Sequence, residues 1–188
     1  MAGDKDNSST GTAFPPVPTV EMLTEFGPND LQDLADAAEA AIKDGGGFGW
    51  ISPPQRETLE AFWRGVLLIP ERDLFVGRLD GVIAGSCQIQ KPARNNEAQR
   101  HTCSLTTTFV APWGRGHGLS RDLVEIAEKH ARDEGFKVLT LDVRETQHAA
   151  IRLYERLGYV RFGSLPHYAY VRDGFVSGHF YYKELDAA

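Results

Sequence analysis

The run HTCSLTTTFV, residues 101–110, is dense in β-branched side chains and ends at Ala111-Pro112. Soon afterwards the period becomes helical, with Leu119, Leu123, Ile126, Ala127 and His130 on one stripe. Gly114, Gly116 and Gly118 sit in the joint. A strand that hands over so abruptly to an amphipathic helix has to lay that helix back across a sheet, so the chain is of mixed α and β class. The helix is expected to begin near Gly116. The first N–H groups of a helix lack internal acceptors and carry the positive end of its dipole. Glycines there keep Cβ atoms away from those groups, so an anion such as a phosphate fits against bare amides, with Arg115 adding charge. The same letters also suit a tight strand-to-helix turn that binds nothing.

Two phosphate motifs fail on the letters. A Walker loop needs a lysine after the glycines, and none follows; a dinucleotide fingerprint counted from Gly114 and Gly116 needs glycine where Leu119 stands.

The rest of the chain supplies partners for this strand and helix. VPTVEML (17–23) reads as a first strand, and Pro28-Asn29-Asp30 opens a helix with Leu31, Leu34, Ala38 and Ile42 at helical spacing, stopped by DGGG at 44–47. A second helix covers PPQRETLEAFWRGVLL, with Pro53 and Pro54 in its first turn and Leu59, Phe62, Trp63 and Val66 on one face. DLFVGRLDGVIAGSCQIQ is a hairpin turning at Asp80-Gly81, a dipeptide that accepts positive φ. KVLTLDV is a further strand, and YVRFGSL and GHFYYKEL form a closing pair. The order is β-α-α-β-β-β-α-β-α-β-β, without internal repeats.

Residues 1–16 are polar and end in Pro15-Pro16, which reads as a disordered tail, leaving 17–188 as a single domain. That start lacks the basic-then-apolar pattern of a signal peptide, and no apolar run is long enough for a bilayer, so a soluble cytoplasmic protein without membrane contacts is expected. With 26 acidic against 20 basic residues the net charge is −6, which argues against a nucleic-acid footprint. Cys87 and Cys103 lie in strand segments and read as buried reduced thiols.

The stretch VAPWGRGHGLS resembles the acetyl-CoA-binding motif of the GNAT superfamily of N-acetyltransferases, in which Val-x-Pro is followed by Arg/Gln-x-x-Gly-x-Gly/Ala. Arg115, Gly116, Gly118 and Leu119 match, and Ser120 stands where the family has Gly or Ala. Downstream, QHAAIRLYERLGY resembles the family's Asn-x-x-Ala-x-x-Leu-Tyr-Glu-x-x-Gly-Phe/Tyr signature through Ala150, Leu153, Tyr154, Glu155, Gly158 and Tyr159, with Gln147 in place of the asparagine. The tail RFGSLPHYAYVRDGFVSGHFYYKEL, with GGFGWISP and AFWRGV, further resembles the subgroup that includes the tabtoxin-resistance acetyltransferases.

The resemblance implies an α+β fold of the GNAT type: a mixed, mostly antiparallel sheet of about seven strands flanked by about four helices, in which strands 101–110 and 137–143 splay apart to admit acetyl-CoA. It implies a pyrophosphate on the amides of Arg115, Gly116, His117, Gly118, Leu119 and Ser120, a pantetheine arm paired with the backbone of Phe109 and Val110, and a cofactor contact at Gln147. The implied chemistry is direct attack of an amine on the thioester, with Tyr154 serving the leaving thiolate and no metal. Proton transfer from an ordinary phenol (pKa ~10) to a thiolate (~8.5) is uphill by roughly 2 kcal/mol, which favours a hydrogen bond over full transfer. Tyr154 also falls on a helical stripe with Ala150, Leu153 and Leu157, where it could simply be core. The strand SLTTTF holds no carboxylate, so the base falls to Asp142, Glu145, His167, His179 or a water chain, with Asp142 set beside Tyr154 as the catalytic pair. The acceptor is expected to be a small amine; a protein or peptide acceptor and a non-catalytic acyl-CoA-binding module are the alternatives. Phe48, Trp50, Phe62, Trp63, Tyr168 and Tyr170 either line the acceptor pocket or fill the core, and an exposed HFYYKEL edge would offer a homodimer contact.

Overall fold

The protein is described here by a computed structural model covering residues 15–46, 48–171 and 174–185. The tail expected over 1–16 lies, through residue 14, outside the described residues. The elements follow in the expected order: β1 (Pro18–Leu23), α1 (Asp30–Lys43), α2 (Arg56–Leu68), β2 (Arg72–Leu79), β3 (Val82–Gln90), β4 (Thr102–Val110), α3 (Leu119–Asp133), β5 (Val138–Arg144), α4 (His148–Arg156), β6 (Val160–Val171) and β7 (Gly174–Glu184). No helix among the described residues is long and apolar enough to cross a membrane.

The seven strands form one sheet in the order β1-β2-β3-β4-β5-β7-β6, with β4 and β5 parallel and the other neighbours antiparallel. The β2–β3 hairpin turns at Asp80 (φ 51°) and Gly81 (φ 85°), the two positive values that Asp-Gly tolerates and that match the twist of the flanking strands. Alternation along β2 sends Leu74 and Val76 to one face and Phe75 to the other. On the first face they meet Leu34, Ala38 and Ile42 of α1 and Leu59 and Trp63 of α2; on the second, Leu119, Leu123 and Ala127 of α3 join Cys87, Ile89 and Leu139. Each fully buried Leu or Val contributes about 2 kcal/mol through apolar area removed from water, and the sheet thereby sits between two helical layers.

Several expectations need correction. The helix after the glycines starts at Leu119, not near Gly116, because Gly116 and Gly118 have φ of 84° and 85°, outside the right-handed helical region. Helix α2 starts at Arg56, so Pro53 and Pro54 precede it. The buried stripe of α3 includes Val124, Glu128 and Ala131, while His130 is half-buried with its Nε2 2.9 Å from Asp73. Glu128 can be buried because Arg132 and Lys183 both reach its carboxylate, at 2.8 and 2.7 Å. HFYYKEL is not an edge: β7 is paired on both sides, by β5 and by β6, so it leaves no free row of backbone groups for a partner.

Candidate active site

Strands β4 and β5 pair only through Thr102–Val138, Cys103–Leu139 and Ser104–Thr140, and beyond Ser104 they part. The parting coincides with a β-bulge. Register between β3 and β4 slips between Ser86 and Gln88, and Thr107 takes φ 51°. A β-branched residue in that region costs on the order of 1–3 kcal/mol, strain that a rigid sheet absorbs and that is typical of functional sites. The bulge also breaks the alternation of β4: Leu105 packs in the layer of α3, whereas Phe109, four residues on, packs with α1 and α2.

A cavity of about 610 Å³ opens in the split. Its walls are Leu105 to Thr108 of β4, Asp142 to Arg144 of β5, Gln147, Ala150 and Tyr154 around α4, Gly46, Phe48, Gly49 and Ile51 of the α1–α2 loop, and Tyr168 to Val171 of β6. Asp142 and Tyr154, expected as the catalytic pair, therefore share one cavity. Burial pushes the Tyr154 phenol up to about 12, against a smaller opposing effect of a hydrogen bond with Thr108. Asp142 is exposed, and its Oδ2 accepts the hydroxyl of Tyr168. Glu145, His167 and His179 do not line the cavity. Glu145 accepts the Ser177 amide, His167 stacks on Phe175, and His179 meets Ser164.

The glycine joint presents a different surface. None of the amide N–H groups from Gly116 to Ser120 meets a protein acceptor among the described residues, and Gly118, the N-cap of the fifteen-residue α3, provides no capping side chain. These donors lie at the positive end of the helix. The three glycines serve separate ends. A Cβ on Gly114 would lie 2.7 Å from that of Ala84, whereas one on Gly116 meets nothing within 4 Å, so there the positive φ alone demands glycine. The Leu119 side chain is buried in the core and Ser120 is half-buried, so the free groups that they offer are main-chain. His117 is half-buried at the centre of the turn. Arg115 reaches back, Nε to the Val110 carbonyl at 3.3 Å and Nη2 to Asp44 at 2.7 Å. The carboxamide of Gln147 donates to the Gly45 carbonyl at 3.1 Å, so both flanks of the split hold the loop after α1.

The aromatic residues separate cleanly. Phe48, Tyr168 and Tyr170 line the cavity. Phe48 stacks on Phe109 at 5.1 Å, and Trp50 and Phe62 brace it edge-on and stacked at 5.3 and 5.9 Å. Trp63 is fully buried. Both cysteines are buried and free; burial raises both thiols, that of Cys103 to about 12, so neither is a nucleophile at neutral pH. Sequence reasoning missed the Thr107 bulge, the Asp44–Arg115 pair and the Tyr168–Asp142 hydrogen bond. For the last of these, Gly178 inside a strand was the available signal, since an isolated strand glycine marks a close approach.

The family model described as Acetyltransferase (GNAT) family matches residues 34–159. An uncharacterized N-acetyltransferase from the hisH-hisA intergenic region of Azospirillum brasilense is 64% identical over 129 residues, covering 69% of this chain and 77% of that protein. Among solved structures, YncA of Salmonella typhimurium with its cofactor acetyl-CoA aligns with a TM-score of 0.71 at 20% identity, over 91% of this chain and 95% of that one. The ribosomal-protein-S18-alanine N-acetyltransferase of Escherichia coli aligns with a TM-score of 0.69 at 22% identity, over 92% of this chain and 96% of that one. At these identities the two structural likenesses speak for the fold.

Proposed function

The chain belongs to the acetyltransferase (GNAT) family, and on that premise we propose that it transfers the acetyl group of acetyl-CoA to the primary amine of a small molecule. The observation that carries the reading is that Asp142 and Tyr154 line one cavity in the split between β4 and β5.

The residues fit the cosubstrate. A run of amides from Gly116 to Ser120 without acceptors among the described residues, at the positive end of α3, suits a pyrophosphate, with Arg115 as the nearby cation and no Cβ on Gly116 or Gly118 to interfere. Beyond Ser104, β4 has no β5 partner, which suits an extended arm against Phe109 and Val110. Acetyl-CoA supplies the activated acyl group, as a thioester with a thiolate leaving group. Asp142 draws the acceptor's ammonium into the cavity and takes its proton, directly or through water. The freed amine nitrogen bonds to the thioester carbon, the C–S bond breaks, the departing thiolate is met by the Tyr154 hydroxyl, and the surplus proton on nitrogen passes to that thiolate through water, leaving the amide and the free thiol of CoA. With that phenol at about 12, full transfer to a thiolate of ordinary pKa is uphill by roughly 5 kcal/mol, so Tyr154 acts as a hydrogen-bond donor. Holding both reactants in one cavity contributes about 7 kcal/mol or more to lowering the barrier.

A small acceptor is favoured because the cavity, about 610 Å³, must take the thioester end and the acceptor together, and is of the size that ordinarily houses small ligands. The test is release of free thiol from acetyl-CoA with panels of primary amines and of short peptides. Amine-dependent release supports the reading. Peptide-only release moves the acceptor to proteins, and binding without turnover leaves an acyl-CoA-binding module.

A further inference from the structure

The cavity has one polar contact that the chemistry above does not use. Tyr168, on β6, donates its hydroxyl to Asp142 of β5, across the intervening β7. The ring reaches that position because Gly178 of β7 has no side chain: a Cβ there would overlap the Tyr168 ring carbons. Phe180, the residue of β7 opposite Asp142, meets the same ring edge-on at 5.9 Å. A glycine in mid-strand weakens a sheet, so its presence beneath an aromatic ring is a packing requirement.

From this cradle we propose that Tyr168 is a positioning residue for the acceptor: Gly178 and Phe180 hold its ring, and its hydroxyl fixes the Asp142 carboxylate in the direction from which the substrate ammonium is received. The inference rests on the acetyltransferase reading of the same cavity. It also sets the chemical class of the acceptor, a cationic amine whose apolar body lies against Phe48, Tyr168 and Tyr170 around the oriented Asp142 carboxylate. Without the hydroxyl, an exposed Asp142 side chain samples several rotamers and loses the direction of its attraction. Among the described residues, the other charged or titratable groups lining the cavity with the pair are Arg144, on the same strand as Asp142, Tyr154 on α4 and Tyr170 on β6. Burial first, and then the hydrogen bond to Asp142, raise the Tyr168 phenol above the ordinary tyrosine range.

The test uses Tyr168→Phe, which keeps the ring in its cradle, with Asp142→Asn and the double variant. Tyr168→Phe raises the KM for the amine by about tenfold, the scale of one hydrogen bond to a charged group, and leaves the KM for acetyl-CoA unchanged. The double variant is no worse than Asp142→Asn alone, because both changes remove the same oriented charge. Independently of turnover, the absorbance titration at 295 nm, wild type minus Tyr168→Phe, shows a phenol ionising above the usual tyrosine value; the same difference taken in the Asp142→Asn background falls towards it. An unchanged amine KM in Tyr168→Phe, effects that multiply in the double variant, or a Tyr168 titration indifferent to Asp142 overturns the proposal. Should the wild type acetylate no amine while the titration still shows the coupling, the small-amine reading fails and the pairing stands.

Discussion

Arg115 Nη2 lies 2.7 Å from Asp44 Oδ2, tying the turn that precedes α3 to the end of α1. Both side chains are about half exposed, so the pair contributes at most about 1 kcal/mol. At the proposed pyrophosphate site an incoming phosphate would compete with Asp44 for the same guanidinium. Asp44→Asn is therefore expected to tighten acetyl-CoA binding by about threefold to fivefold at low salt, an advantage that shrinks at higher ionic strength. Calorimetry at two salt concentrations measures it, and equal or weaker binding by the variant at low salt would count against competition at Arg115.

Gly114 and Gly116 are two residues apart, and their alanine variants should fail differently. Gly114→Ala drives a Cβ to 2.7 Å from Ala84 and forces the turn off β3, at a cost of about 1–3 kcal/mol and a lower Tm. Gly116→Ala meets no atom within 4 Å but must hold φ near 84°, at about 1–2 kcal/mol. That strain is relieved by letting the exposed turn change shape, so Tm barely moves while acetyl-CoA affinity drops about tenfold. Gly116→Asn, which tolerates the left-handed region, recovers part of the loss. Thermal melts and binding isotherms for the three variants separate packing from conformation.

What could be read from the letters was local. Asp80-Gly81 declares its turn because two adjacent residues suffice to set it, whereas the glycine joint reads as the opening of a helix and proves to be a positive-φ turn ahead of one, since the same glycines suit both. Pro53-Pro54 misled the helix start because proline suits both a first helical turn and the extended residues before one. The Thr107 bulge was illegible: threonine in a β-branched run reads as regular strand, and the slip is imposed by pairing with Ser86 and Gln88, far away in sequence. The order that buries β7 between β5 and β6 is likewise a property of pairing partners. Tyr168 and Asp142 are brought together across that order, so their contact could be glimpsed only through Gly178.

Tyr154 is 5% exposed, and burial pushes its phenol up to about 12. It therefore stays protonated from pH 5 to 10 and contributes no basic limb to the rate profile in that range. Tyr154→Phe preserves the ring contact with Tyr159 at 5.6 Å and removes only the hydroxyl. Turnover should fall at least about tenfold, with acetyl-CoA affinity and the shape of the pH profile below pH 10 unchanged. A variant running at full speed would take Tyr154 out of the chemistry.

Asp30 and Arg78 give the fold a defined acid response. Arg78 donates Nη1 to Asp30 Oδ1 at 2.7 Å and Nη2 to Oδ2 at 3.1 Å, and Gly27 adds its amide at 2.9 Å. The hydrogen bonds from Arg78, ahead of the opposing effect of burial, hold this carboxyl below its ordinary value of 3.8. A depressed carboxyl binds its proton more readily in the unfolded chain. Its contribution is thus fully present above about pH 4 and is lost as pH falls through the lower folded value. Arg78→Met removes the cause and leaves Asp30 without its cation, costing about 3 kcal/mol at neutral pH. In the variant Asp30 is neutral at low pH, where being unpaired costs little, so the stability gap between wild type and variant should narrow between pH 5 and about pH 2.5. Urea unfolding at a series of pH values reads the gap directly, and a gap that stays constant across that range would show that Arg78 stabilises the protein by packing instead of by charge.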